Sequence, residues 1–167
     1  YGISITSLLL VILSVFVIII FFIDLKHFII PNSLTFPLMF IGFIKSFDPN
    51  LDNFLFPNYI NSLIGGVIGY LIIWLIIFVY KKVRNKEGMG LGDAKLLSAI
   101  GFWFGWVSIP FVLFLSSVIA LGLSLPSLIN KSKNLSSQIP FGPYIILGIT
   151  LYVLCQELYL SLIHISE

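Results

Sequence analysis

Two uncharged apolar runs, Ile3–Ile23 and Tyr59–Tyr80, constrain this chain more than anything else in it. About 20 apolar residues in a helix span a hydrocarbon core roughly 30 Å thick. A membrane β-barrel would alternate apolar and polar residues, and neither run does. The composition agrees: 59% of residues are hydrophobic and 10% charged, where a soluble domain has about 45–50% and 25%. The chain therefore reads as an all-α, polytopic integral membrane protein. The first run lacks a positive leader and an A-x-A-like site and passes directly into a charged segment, so it reads as a transmembrane helix rather than a signal peptide. The single Cys155 excludes an internal disulfide or a multi-cysteine zinc site within these residues.

Hydropathy and breakers predict six helices, at about 4–23, 33–45, 59–80, 93–105, 107–128 and 142–163. The connections between them leave no room for a soluble domain, so residues 1–167 read as one membrane-embedded domain. Tyr1 is not an initiator methionine, and an upstream region is expected. The segment 96–126 reads as one long helix or two short ones, and loop charge decides. Lys81, Lys82, Arg84 and Lys86 crowd one connection; Lys131 and Lys133 lie in another. Cytoplasmic loops carry the excess of Lys and Arg, so two crossings must separate these loops. Pro110 and the Gly105-Trp106 break fit that count. The loop bearing Asp48 and Asp52 then lies outside, and Lys26 and His27 lie inside.

This topology sets Asp24, at the end of the first helix, and Asp93, at the start of the fourth, level at the cytoplasmic boundary. The second and fourth helices follow these acids with about 13 apolar residues each, roughly 20 Å at 1.5 Å per residue. Such short helices thin the bilayer or admit water, which lowers the cost of an acid there. The first, second and fourth helices are expected to meet at a water-accessible cytoplasmic cavity. Two carboxylates sharing a site hold protons as a pair: one takes a proton from water while the other polarises a peptide carbonyl. Glycines at 88, 90 and 92 let the backbone bend and a substrate approach. Simpler roles compete. Asp93 suits a helix N-cap, and Asp24 suits an interfacial pair with Lys26. Lys95 suits a snorkelling cation, though it is also placed to stabilise Asp93 or hold an acidic substrate group. His27 reads as interfacial and Glu157 as structural. Gly65, Gly66, Gly69, Gly101 and Gly105 read as close helix packing.

Three segments together resemble the prepilin peptidase family, the type IV prepilin-like leader peptidases. They are "IDLKHFIIPNSLTFP" at 23–37, "GMGLGDAKLLSAIGFWFG" at 88–105 and "IPFGPYIILG" at 139–148. The resemblance implies an aspartic endopeptidase that cuts the basic leader of type IV prepilin or pseudopilin precursors after a glycine, at the cytoplasmic face of the inner (plasma) membrane. It implies Asp24 and Asp93 as the catalytic pair, and Gly90, Gly92, Lys95, Pro31 and Asn32 as residues that shape the motif or position substrate. No cofactor or metal is expected for the peptidase step, and no nucleic-acid partner. Many family members also methylate the new N-terminus through a cysteine-bearing cytoplasmic region; these residues hold no such region, so that activity is not expected of them. A proton-coupled transporter is the competing reading, because intramembrane acids also relay protons.

Overall fold

The computed structural model describes residues 5–51, 56–84, 90–129 and 141–166. Among them are six α-helices and no strand: α1 (Ile5–His27), α2 (Asn32–Lys45), α3 (Tyr59–Arg84), α4 (Leu91–Phe104), α5 (Ser108–Ile129) and α6 (Gly142–Ser166). A short 3₁₀ turn, Pro49–Leu51, follows α2. The all-α expectation holds, and α2 and α4 are short, at 14 residues each. By length and composition α1 and α3 are the two helices suited to cross a bilayer unaided; α5 and α6 contribute shorter apolar stretches, 108–123 and 142–156. Ile5, Leu8, Val11, Val15, Ile18 and Phe22 point outward from α1, an apolar exterior of a size that a soluble monomer avoids.

The break at Gly105 separates α4 from α5. Gly105 adopts φ +76, a left-handed conformation that favours glycine, and its N–H caps the Gly101 carbonyl at 2.8 Å. The segment 96–126 is thus two helices, as loop charge required. At the other end of the chain the helix limit differs from expectation: α1 runs through Asp24 to His27. Phe28, at φ +56, ends it, and its N–H bonds the Asp24 carbonyl at 2.9 Å. This is an αL cap, built on a bulky residue rather than glycine. The acid therefore sits one turn inside the helix.

α4 is the centre of the molecule. Ala94, Leu96, Leu97, Ala99, Ile100 and Trp103 are all essentially inaccessible, and α2, α3, α5 and α6 all pack against it. Its most extensive neighbour is α3. A Cβ on Gly65 would fall 2.5 Å from the Gly101 carbonyl oxygen, and one on Gly101 would strike the Gly65 carbonyl in return. Two hydroxyls bridge this crossing: Ser62 Oγ donates to Phe102 O and Ser98 Oγ to Gly66 O, each at 2.8 Å. Lipid tails are as apolar as leucine, so close backbone approach and inter-helix hydrogen bonds replace the hydrophobic effect as the glue. On the α2 side Trp103 Nε1 donates to Leu38 O, and Lys45 Nζ donates to Trp103 O, both at 2.8 Å.

The loop residues Asp52, Lys86, Gly88, Lys131, Lys133 and Pro140 lie outside the described residues, as does the side chain of Glu157. Gly101→Ala forces a methyl into the Gly65 backbone and should destabilise the folded protein by about 1–3 kcal/mol. Gly122→Ala, where the added Cβ meets nothing within 4 Å, should not destabilise it. Reversible unfolding of both variants in one detergent checks the contrast.

Candidate active site

Asp24 faces inward because of its register on α1. The buried residues of that helix are Leu13, Val17, Ile20 and Asp24, successive steps of four, three and four, which is one face of an α-helix. The acid thus occupies the last position of an otherwise apolar stripe and is 4% exposed. Its Oδ2 has no hydrogen-bond partner among the described residues. Lys26, two positions on, is exposed; residues two apart on a helix do not face each other. The Asp24–Lys26 surface pair is therefore replaced by a buried acid aimed into the bundle. His27 is exposed, as an interfacial residue would be.

Asp93 stands in the first turn of α4 and is 7% exposed. Gly90 is the N-cap, in extended conformation and without a side-chain cap. The Asp93 N–H donates to the Gly90 carbonyl at 3.2 Å, and the Gly90 N–H acts on the Asp93 carboxylate. The N-cap is therefore Gly90, and Asp93 lies three residues inside it. It lies in the electrostatic field of Asp24, so the two acids share one site although they enter from different helices.

Ile30 is what joins them. It is 8% exposed and follows the left-handed turn at Phe28. A Cβ on Gly92 would lie 2.9 Å from Ile30 Cβ, and one on Gly142 would lie 3.0 Å from Ile30 Cδ1 and 3.1 Å from Asp24 Cγ. Three stretches far apart in sequence therefore meet at one side chain. Pro31 forms the extended N-cap of α2, at φ −70 and ψ 134, and its carbonyl accepts from the Leu34 and Thr35 N–H groups at 3.2 Å. Asn32 opens α2 and accepts from Lys95 Nζ through Oδ1 at 2.7 Å. The Lys95 ammonium also lies 5.5 Å from the centre of the Phe36 ring. Lys95 thus ties the two acidic segments together across α2 and α4.

Both acids are buried, and one feature goes beyond the sequence expectation. α6 joins α1, α2 and α4 in building the site, through Gly142. Neither Ile30 nor Gly142 stood out by residue type; only their places within the first and third quoted segments marked them. Among the described residues no three of His, Cys, Asp and Glu cluster together.

α1 and α6 enclose an apolar groove of about 600 Å³. Val17, Phe21 and Phe22 line it from α1, and Ile146, Thr150 and Val153 from α6. Its two hydroxyls are already engaged, Ser14 with Val11 O and Thr150 with Ile146 O. Neither acid lines the groove; Phe21 lies one turn before Asp24 on α1, and Ile146 one turn after Gly142 on α6.

The chain is similar to proteins that are already known. The chain is 39% identical over 126 residues to a prepilin leader peptidase/N-methyltransferase of Aeromonas hydrophila, covering 74% of this chain and 41% of that protein. It is 40% identical over 124 residues to one of Stutzerimonas stutzeri, with the same coverage. With one of Pseudomonas putida it shares 32% identity over 165 residues, 96% of this chain and 54% of that protein. The chain thus spans roughly two fifths to one half of the length of these curated relatives. No solved structure matches it with significance. Residues 11–125, which contain both acids, match the type IV leader peptidase family, and the chain belongs to that family.

Proposed function

We propose that these residues form the peptidase centre of a prepilin leader peptidase, an aspartic endopeptidase that removes the basic leader of type IV pilin-like precursors after a glycine. The observation that carries this reading is that Asp24 and Asp93 are both buried and interact electrostatically, with Ile30 packed between Gly92 and Gly142 beside them. Family membership favours it over a proton-coupled transporter. So does the position of the acids, near the end of α1 and in the first turn of α4 rather than midway along either helix.

The chemistry follows from the pair. An ionised carboxylate takes a proton from a water molecule, whose oxygen bonds to the scissile carbonyl carbon. The protonated partner gives its proton to the carbonyl oxygen, producing a tetrahedral diol. Collapse restores the carbonyl, breaks the C–N bond and passes a proton to the leaving amine. Asp24 Oδ2, buried and unpartnered among the described side chains, is suited to meet water or substrate. The step needs no metal or cofactor in this reading.

The precursor's apolar segment lies in the α1–α6 groove, which presents no unsatisfied hydroxyl to it and is lined by Phe21, one turn before Asp24 on α1. Its basic leader remains on the cytoplasmic side of the inner membrane, where loop charge sets the Asp24 and Asp93 ends of the helices. Lys95 and Asn32 fix the relation of α2 to α4. The N-methyltransferase activity in the relatives' names belongs to proteins of about twice this length, and peptidase activity alone is assigned here.

Asp24→Asn and Asp93→Asn should each lower cleavage of a prepilin by about a hundredfold or more while the protein stays folded, because the amide keeps the shape and loses the proton exchange. Full turnover by either folded variant removes that acid from the reaction. Lys95→Ala should retain more activity than either. Thr150→Trp, which fills the groove from α6, should raise KM for the precursor severalfold with kcat nearly unchanged; an unchanged KM places the apolar segment elsewhere.

A further inference from the structure

The peptidase reading assigns α6 only a wall of the groove, yet the first residue of α6 touches a catalytic acid. Gly142 is buried, and a Cβ there would run into Asp24 Oδ2. The start of α6 is unusual in its donors. Tyr144 and Ile145 N–H both bond the Phe141 carbonyl, at 3.0 and 3.1 Å. Pro143 has no N–H to give. Among residues 142–145 this leaves the Gly142 N–H, at the positive end of a 25-residue helix. It acts on the Asp24 carboxylate. The acid's Oδ2 lies against the same residue and has no hydrogen-bond partner among the described residues, and Asp24 is more than nine-tenths buried.

We infer that Gly142 is a positioning residue for Asp24: by lacking a Cβ it leaves the place the carboxylate occupies, and it sets its backbone N–H beside that place. The inference rests on the peptidase reading and deepens it. It also completes a symmetry of the site. The N–H of Gly90, at the start of α4, acts on Asp93 as the N–H of Gly142, at the start of α6, acts on Asp24. Each acid thus has beside it the amide of a glycine at a helix N-terminus. A backbone donor keeps its aim without the rotamer freedom of a side chain, and a helix start is where unpaired N–H groups occur. Pro143 serves the same end by removing the neighbouring donor that would compete.

The test is Gly142→Ala in the full chain, reconstituted in liposomes. Alanine keeps the N–H and suits a helix start, so the change isolates the added methyl. Prepilin cleavage should fall at least tenfold in kcat with KM within twofold of the original. In parallel, a hydrophobic carbodiimide, which reacts with protonated carboxyls, reads the position of Asp24 without reference to catalysis. The rate of modification at Asp24, followed by mass spectrometry, should rise at least threefold as the carboxyl leaves the Gly142 amide. Unchanged kcat with unchanged labelling overturns the inference. So does a lower unfolding temperature with unchanged turnover per folded molecule, since Gly142 would then be a packing spacer. If the original chain cleaves no prepilin but labelling at Asp24 still responds to the substitution, the peptidase reading fails and the positioning of Asp24 stands. Should Gly142→Ala not accumulate, the Gly142→Ala/Ile30→Val double variant gives the methyl room at Ile30 Cδ1 and carries the same two measurements.

Discussion

The contact on which the rest of the structure depends is the crossing of α3 and α4 at Gly65 and Gly101, backbone against backbone. A 14-residue helix packed on every side gains little from expelling water when its surroundings are lipid. Close approach, with Ser62 and Ser98 donating across the gap, supplies dispersion and hydrogen bonding instead. The far end of α4 is fixed differently. Lys45 is 6% exposed, yet its ammonium donates to the Trp103 carbonyl and sits 3.8 Å from the centre of the Phe56 ring. A cation there complements the negative end of the helix and offsets its own burial through the ring. With one flank and the C-terminus held, the N-terminus of α4 and its Asp93 have a defined place.

That defined place matters because the two acids come from helices that scarcely touch. α1 packs on α6 and α2, and α4 packs on α2 and α6; the relation of Asp24 to Asp93 is therefore set through intermediaries. Ile30 is one, seated against Gly92 and beside Gly142. Asn32, bonded to Lys95, is another. Each link depends on a small or short residue that lets the next element come close. A bulky replacement at Gly92 would displace Ile30, and through it the whole turn from Phe28 to Pro31. The short connection between α1 and α2 is thus as much a part of the acid pair as the acids are.

The sequence made the helices legible because lipid-facing and buried residues alike are apolar, and long uncharged runs have few other interpretations. Loop charge resolved the one ambiguous segment, and Gly105 with φ +76 is the break it required. The acids were legible as polar residues in apolar surroundings. The inward aim of Asp24 was present as the 13-17-20-24 spacing, but in a helix that is apolar all round such a stripe carries no contrast. What stayed hidden was everything carried by backbone. Lys45 meets a backbone carbonyl, Ile30 fits against a glycine, and Gly142 matters by the Cβ it lacks, none of which residue type announces. The limit of α1 was misplaced for a related reason: a charge in a membrane sequence suggests an end, whereas Asp24 is accommodated by burial against other helices and the chain turns only at Phe28.

The buried acids set a condition on the chemistry. At 4% and 7% exposure neither carboxyl meets a substrate backbone without some displacement, and the described elements beside them are of unequal firmness. α4 cannot yield easily, being packed by four helices and sealed by glycine contacts. Ile30 lies in a short turn between two helices, and the turn begins with a left-handed phenylalanine, a conformation about 1–2 kcal/mol less favourable for a bulky residue than a right-handed one. Ile30 packs against Gly92, next to Asp93 in sequence, and beside Gly142, which lies against Asp24. The least firmly held of these elements is thus the one that touches the neighbours of both acids.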